Sequence, residues 1–269
     1  MAGGADIINS RVACNTMLWR QFVSSTNQNM TVQDLTNKIK EFDTFVNSTI
    51  ISQQEDTYPI LDGIIDPERF ITAKYKVLWI LKEPYDDFDE DGTPFGGGWD
   101  LKAVIKSKNS IHEYTGGKPT FKPMVYASWG ILNDFYLWDD MNNVEKDPSM
   151  LNALKSVAYI NVKKLPGRKS THYSICNEAY KSHKDLLLEQ IELINADIII
   201  GGGTLHHFIK DLQLSGVERH TQGSANFFLN DNKIYIQAYH PAQRTSSTGV
   251  SQEQYCNDII LAVKTWATQ

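Results

Sequence analysis

A helical spacing of apolar residues is the first regular pattern along the chain. The positions recur every three or four residues after Thr31: Val32, Leu35, Ile39, Phe42 and Phe45. This spacing places one apolar face on a helix, and the Thr31 hydroxyl is a suitable cap for its first turn. The periodicity stops around Pro59, Gly63 and Pro67. We therefore predict a helical extension over residues 1–70, packed on a main domain over residues 71–269.

The main domain alternates short apolar runs with longer segments of helical spacing. The runs are 75–81 (YKVLWIL), 157–162 (VAYINV), 197–200 (DIII) and 233–239 (KIYIQAY). The segments with helical spacing are 122–138, 175–194, 204–212 and 251–266. Short apolar strands that alternate with helices are typical of a parallel sheet covered on both faces. The pattern predicts an α/β fold, a three-layer α/β/α sandwich with a four-stranded parallel sheet.

Composition narrows the class of protein. The chain has 269 residues, 41% of them hydrophobic and 22% charged, which is ordinary for a globular protein. Its net charge of −6 offers no overall attraction to nucleic acid or to an anionic membrane. Three separated cysteines, Cys14, Cys176 and Cys256, exclude a disulfide framework and a four-cysteine metal site. With no recognisable leader or apolar span, we expect a cytoplasmic monomer.

Charge is segregated between two of the loops that follow predicted strands. Residues 82–91 carry six carboxylates against Lys82 alone, whereas residues 163–184 carry six basic side chains against Glu178 alone. Ligands of parallel sheets bind beyond the carboxyl ends of the strands. The chemistry of the protein is therefore expected in these loops, with any contact to a polyanion made by a local basic patch.

Each predicted strand is followed by a short polar or glycine-rich motif. In chain order the motifs are Lys82-Glu83-Pro84-Tyr85 with Gly92-Thr93-Pro94-Phe95, then Asn161-Val162-Lys163-Lys164, Gly201-Gly202-Gly203 and His240-Pro241-Ala242. Together they resemble the uracil-DNA glycosylase superfamily. The first is similar to the Gln-Asp-Pro-Tyr of conventional members and the Glu-Ala-Pro-Gly of thermophilic iron–sulfur members, and the last is similar to the family's His-Pro-Ser. The resemblance covers about residues 76–244.

The resemblance implies base excision from DNA. In that reaction a base is flipped into a pocket and water cleaves its N-glycosidic bond. Bond cleavage leaves positive charge on the sugar and negative charge on the base. By resemblance, Glu83 positions or deprotonates the attacking water. His240 donates to the O2 of the departing base, which suits a neutral imidazole.

Three further residues are expected to bind the base. The Asn161 amide offers the donor and the acceptor that the uracil edge requires. Phe95 would stack on the flipped base. By resemblance, Tyr85 blocks the methyl group of thymine and so favours uracil.

Contacts to the DNA backbone are expected from basic residues after the second and fourth strands, because phosphate neutralisation dominates DNA affinity. The candidates are Lys163, Lys164, Arg168, Lys169 and Arg244, of which Arg244 would fill the gap left by the flipped base. Ala242 stands where the family has a phosphate-binding serine.

No metal or cofactor is expected. Leu165 and His183 occupy positions that match two cluster cysteines of the iron–sulfur members, so we expect no iron–sulfur cluster. His206 and His207 are adjacent, and neighbouring residues of a helix do not face one metal.

A second interpretation stays open. Leu81 replaces a glycine of the first motif, and Lys82 replaces the glutamine or glutamate that contacts the base. These departures favour a glycosylase-fold protein without catalysis that binds nucleic acid, a nucleotide or a protein partner, because a fold does not determine an activity.

Overall fold

The elements of the fold come from a computed structural model that describes residues 30–52, 54–114, 117–167 and 173–269. Within these ranges the helices are α1 (Val32–Thr49), α2 (Pro67–Thr72), α3 (Leu101–Ser107), α4 (Lys118–Leu132), α5 (Leu151–Lys155), α6 (Tyr173–Ile194), α7 (Thr245–Thr248) and α8 (Gln252–Ala267). The strands are β1 (Gly63–Ile64), β2 (Val77–Leu81), β3 (Ala158–Asn161), β4 (Ile198–Gly202), β5 (Arg219–Gln222), β6 (Ala225–Asn230) and β7 (Lys233–Ala238). The chain is therefore α/β, as predicted.

The sheet is larger than predicted and is mixed. Its order is β1-β3-β2-β4-β7-β6-β5. The four predicted strands β3, β2, β4 and β7 are adjacent and parallel, whereas β1, β6 and β5 each run antiparallel to a neighbour. The prediction of a sheet with only four parallel strands is corrected to seven mixed strands. The additions are a two-residue edge strand and a hairpin whose first strand is polar.

Alternate side chains of β2 face two separate hydrophobic layers. Val77, Trp79 and Leu81 pack with α3, α4 and α8 on one face of the sheet. Leu78 and Ile80 pack with α1 and α6 on the other. Because both faces are covered, these parallel strands are apolar throughout rather than alternating.

The N-terminal helix forms where its pattern predicts it. The Thr31 hydroxyl accepts from the Asp34 backbone N–H, and the Asp34 carboxylate accepts from the Thr31 N–H, so the two form a capping box. Phe42 and Val46 pack against Leu186 and Leu193 of α6. The predicted capped helix is confirmed, and it lies against the sheet's covering helix.

Two predicted helices differ from the structure. The segment 204–212 contains only a 3₁₀ turn, Leu205–His207. The segment 122–138 is replaced by α4, which ends at Leu132 because Asp134 and Phe135 adopt positive φ angles of 55° and 63°. None of the helices in the described part of the chain combines the length and apolarity that crossing a bilayer requires.

A buried ion pair joins the segment before β1 to the loop after β3. The Lys164 ammonium lies 2.6 Å from Asp62 Oδ1 and donates to Gln190 Oε1 at 2.6 Å, and both charged side chains are only 1% exposed. Asp62 Oδ2 accepts from the Asn161 backbone N–H at 2.8 Å. One carboxylate therefore connects the N-terminal segment, the end of β3 and α6.

This pair gives a stability prediction. Asp62→Ala leaves the Lys164 ammonium buried without its counter-charge, which costs about 3–5 kcal/mol of unfolding free energy. As the control, Lys74→Ala removes the partner of Asp134 in an exposed pair, and such pairs contribute about 0–1 kcal/mol. Urea unfolding of both variants measures the difference, and equal small losses would contradict the anchoring role of Asp62.

Candidate active site

The order of the parallel strands reverses at one point of their carboxyl ends, which we call the crevice. From β2 the chain crosses to β3 on one side, and it then returns past β2 to β4 and β7 on the other. In open α/β sheets, ligands bind where the strand order reverses in this way. Here that point lies between the carboxyl ends of β2 and β4, where Lys82 and Gly203 follow the two strands.

Lys82, Gly203 and His240 meet at this point, although they follow three different strands. A Cβ atom on Gly203 would lie 3.5 Å from Lys82 Cε and 3.6 Å from the His240 backbone nitrogen. Gly203 has a φ angle of +73°, which favours glycine, and its N–H donates to the Ala238 carbonyl at 2.8 Å. The turn after β4 therefore brings a cationic and an imidazole side chain to one place.

His240 is held as a neutral imidazole with a defined tautomer. Burial, followed by the nearby Lys82 charge, lowers the pKa of His240 to about 4. Its Nδ1 atom accepts from the Ala242 backbone N–H at 3.2 Å. Since that backbone group can only donate, Nδ1 carries no proton and Nε2 carries the remaining one. His240 thus presents an Nε2–H donor at neutral pH.

The Glu83 carboxylate lies between two loops that run side by side. The Lys163 N–H donates to the Lys82 carbonyl at 2.9 Å, and the Gly167 N–H donates to the Pro84 carbonyl at 2.8 Å. The Glu83 side chain is 4% exposed, with Lys163 Nζ 3.4 Å from its Oε2. A Cβ atom on Gly167 would overlap the Glu83 carboxyl group. The glycine after β3 therefore leaves the room that this carboxylate occupies.

The first glycine run has a structural role in the acidic loop. Gly96, Gly97 and Gly98 have φ angles of +91°, +82° and +75°. Asp86 Oδ2 accepts from the Gly97 N–H and from Trp99 Nε1, each at 2.7 Å. The Asp86 carboxylate is thus used internally, and it fixes the turn that follows Phe95.

Tyr85 and Phe95, both predicted to bind the base, lie on this same loop. Phe88 and Pro94 form an antiparallel bridge, and the Phe95 N–H donates to the Asp87 carbonyl at 3.1 Å. The Phe95 ring is partly buried and belongs to none of the hydrophobic clusters formed by the described residues. Tyr85 is exposed and lies 5.3 Å from the Phe88 ring. The loop thus presents aromatic surface beside the end of β2.

Asn161 occupies an interior position. It is fully buried, its Oδ1 accepts from the Tyr159 hydroxyl at 3.1 Å, and its Nδ2 lies 3.5 Å from Asp62 Oδ2. In this arrangement the amide has no accessible atom. Its base-reading role stays a prediction, and it requires these contacts to be exchanged for contacts to a base.

The predicted phosphate contacts are only partly accessible. Lys164 is buried against Asp62, so the prediction that it binds a DNA phosphate is wrong. Lys163 donates to the Pro166 carbonyl at 2.7 Å and lies beside Glu83. Arg244 is exposed just before α7. Arg168 and Lys169 lie outside the described residues.

The structure adds two histidines and a tyrosine that the sequence did not indicate as site residues. The Tyr173 ring stacks on His206 at 5.3 Å and on His207 at 5.4 Å. Burial, then His206 and Lys82, lower the pKa of His207 to about 4. In the sequence, the position of both histidines shortly after the Gly201–Gly203 turn could have indicated them as site residues. Within the ranges described above, no three histidine, cysteine or acidic side chains cluster as metal ligands would.

The two described cysteines are buried thiols. Burial raises the pKa of Cys176 to about 11, and it raises the pKa of Cys256 as well. A nucleophilic cysteine needs a lowered pKa, so neither has the reactivity of a catalytic thiol.

Comparison with known proteins finds no family model that matches this chain and no curated protein that matches its sequence. Any functional assignment therefore depends on the residues of the crevice.

The environment of His240 gives a prediction for its titration. We expect an NMR titration of the ring nitrogens to give a pKa near 4 and the Nε2–H tautomer at pH 7. Lys82→Met should raise that pKa, because it removes the second cause of the shift. Titration near the ordinary 6.5 in both proteins would contradict this description.

Proposed function

We propose that the chain is a DNA glycosylase-like enzyme that hydrolyses the N-glycosidic bond of uracil or a related damaged base. The observation that carries the proposal is that a carboxylate and a neutral imidazole follow strands that end at the same edge of the sheet. A carboxylate, Glu83, follows β2, and an imidazole with an Nε2–H donor, His240, follows β7. The intervening β4 ends in glycines, and Gly203 borders Lys82 and His240.

The two groups match the charges that the reaction creates. When the bond between the sugar C1′ and the base nitrogen breaks, its electron pair leaves with the base, and the sugar becomes cationic. Water adds to C1′, and its proton passes to the Glu83 carboxylate. The base departs as an anion, and the Nε2–H of His240 donates to its oxygen without transferring its proton. The anion later takes a proton from solvent, and Glu83 releases its proton to solvent, which balances the reaction.

The aromatic side chains of the loop after β2 favour a planar substrate. Phe95 is partly buried outside the hydrophobic clusters, and Tyr85 is exposed on the same loop. A base that leaves its stack loses stacking energy, which an aromatic side chain replaces by about 1–3 kcal/mol. Arg244 is exposed and so is an accessible candidate for contact with the DNA strand.

One observation favours the non-catalytic alternative. The Asn161 amide, expected to read the base edge, is engaged by Tyr159 and Asp62. A protein that only binds nucleic acid, a nucleotide or a protein partner at the same crevice does not need Asn161 to contact a base edge. The two functions are separated by whether free base is released.

Substitution of the two central residues tests catalysis. In single-turnover assays with uracil-containing oligonucleotides, Glu83→Gln and His240→Ala should each reduce base release at least ~10²-fold. Glu90→Gln is the matched control, since Glu90 is an exposed residue of the same acidic loop. Wild-type protein that releases no base from single- or double-stranded substrates would overturn the proposal in favour of the binding function.

The close approach of Gly167 to Glu83 allows a test of carboxylate position. Gly167→Ala should displace the carboxylate and lower turnover at least ~10-fold with little change in substrate affinity, because small misplacements of reacting groups are costly. Adding Glu83→Asp shortens the side chain by one methylene and should recover part of the turnover. A fully active Gly167→Ala variant that remains folded would show that the position of Glu83 does not matter.

A further inference from the structure

The Lys82 ammonium is a cation without a counter-charge in the part of the chain that the structure describes. Its side chain is partly buried, and none of the ion pairs or side-chain hydrogen bonds of the described residues includes it. The neighbouring Lys163 and Lys164 both lie beside carboxylates. Lys82 therefore differs from the adjacent basic residues in being available to an anion.

The groups around Lys82 do not neutralise it. Its charge acts on the imidazoles of His206, His207 and His240, each of which has its pKa lowered mainly by burial and further by nearby positive charge. The buried Cys176 thiol lies within the field of Lys82 and also within that of the Glu83 carboxylate. The nearest acidic side chain in sequence, Glu83, is 3.4 Å from Lys163. Among the described residues, Lys82 thus lies beside imidazoles whose pKa values are lowered, in a chain whose net charge is −6.

The position of Lys82 relative to His240 indicates which group of a substrate the ammonium would contact. Both border Gly203: the point where its Cβ would stand is 3.5 Å from Lys82 Cε and 3.6 Å from the His240 backbone nitrogen. A group that accepts from His240 Nε2 in this crevice therefore lies within the field of the Lys82 ammonium. In the proposed reaction that group is the oxygen of the departing base.

We propose that Lys82 is a further catalytic residue, whose ammonium contacts the departing base and shares with His240 the negative charge released when the C1′–N bond breaks. This role rests on the proposed glycosylase function. Lys82 keeps its proton throughout and donates a hydrogen bond to the base anion. A cationic donor forms a stronger hydrogen bond to an anion than a neutral one does, and a fixed charge stabilises the transition state without reorganisation.

If Lys82 stabilises the departing base, its substitution should matter less for a better leaving group. A purely structural role of Lys82 would affect the release of both bases equally. Fluorine at C5 withdraws electrons and stabilises the uracil anion, so a 5-fluorouracil base needs less help to leave. Lys82→Met should therefore reduce single-turnover release of uracil ~10²-fold and of 5-fluorouracil at least ~5-fold less severely. Lys82→Arg, which keeps the charge, should retain most of the activity on both.

The controls separate failure of this role from failure of the proposed function. Lys264→Met, at an exposed position on α8, should leave both rates unchanged. An active wild type whose Lys82→Met variant loses the same factor on both bases, or loses nothing, overturns only the role of Lys82. A wild type that releases neither base, with Glu83→Gln and His240→Ala equally inactive, overturns the glycosylase function and this role with it.

Discussion

The buried contact between Asp62 and Lys164 is the interaction on which the geometry of the crevice depends. Asp62 binds the backbone of β3 at Asn161, the ammonium of Lys164 and the amide of Gln190. It thereby fixes the loop after β3. That loop runs beside the loop after β2, and Gly167 on it forms one wall of the space that holds Glu83. A buried charge pair thus sets the position of a candidate catalytic carboxylate.

The crevice brings together functional groups from the loops that follow three different strands. Lys82 and Glu83 follow β2, Gly203 follows β4 and His240 follows β7, and parallel strands bring these ends to a common edge. Burial at that edge lowers the pKa of His240, and the Ala242 N–H selects its tautomer. A neutral donor, a cation and a carboxylate in one partly buried site fit a reaction that separates charge between a sugar and a base. In the acidic loop, the Asp86 carboxylate is turned inward and holds the turn at Gly97.

The sequence predicted the parts of the fold that depend on local pattern. The cap at Thr31, the helix after it and the four parallel strands could be read from periodicity and apolar runs. The hairpin strand Arg219–Gln222 could not, because its polar side chains alternate between exposed and half-buried positions without an apolar face. Lys164 was taken for a surface lysine because its partner, Asp62, lies far away in sequence, and no local pattern indicates such a pairing. The strand-end motifs indicated Glu83 and His240 as candidate site residues. The surroundings of Lys82 and the stacking of Tyr173 on His206 depend on tertiary contacts, which no local pattern indicates.

The identity of the product tests the central claim most directly. Mass spectrometry of a uracil-containing oligonucleotide after incubation with the wild-type chain should detect free uracil and, in equal amount, an intact strand that carries one abasic sugar. Glycosylase activity predicts that the wild type forms both products and that replacement of Glu83 or His240 removes them. An unchanged oligonucleotide, or a strand cut without release of the base, would contradict it.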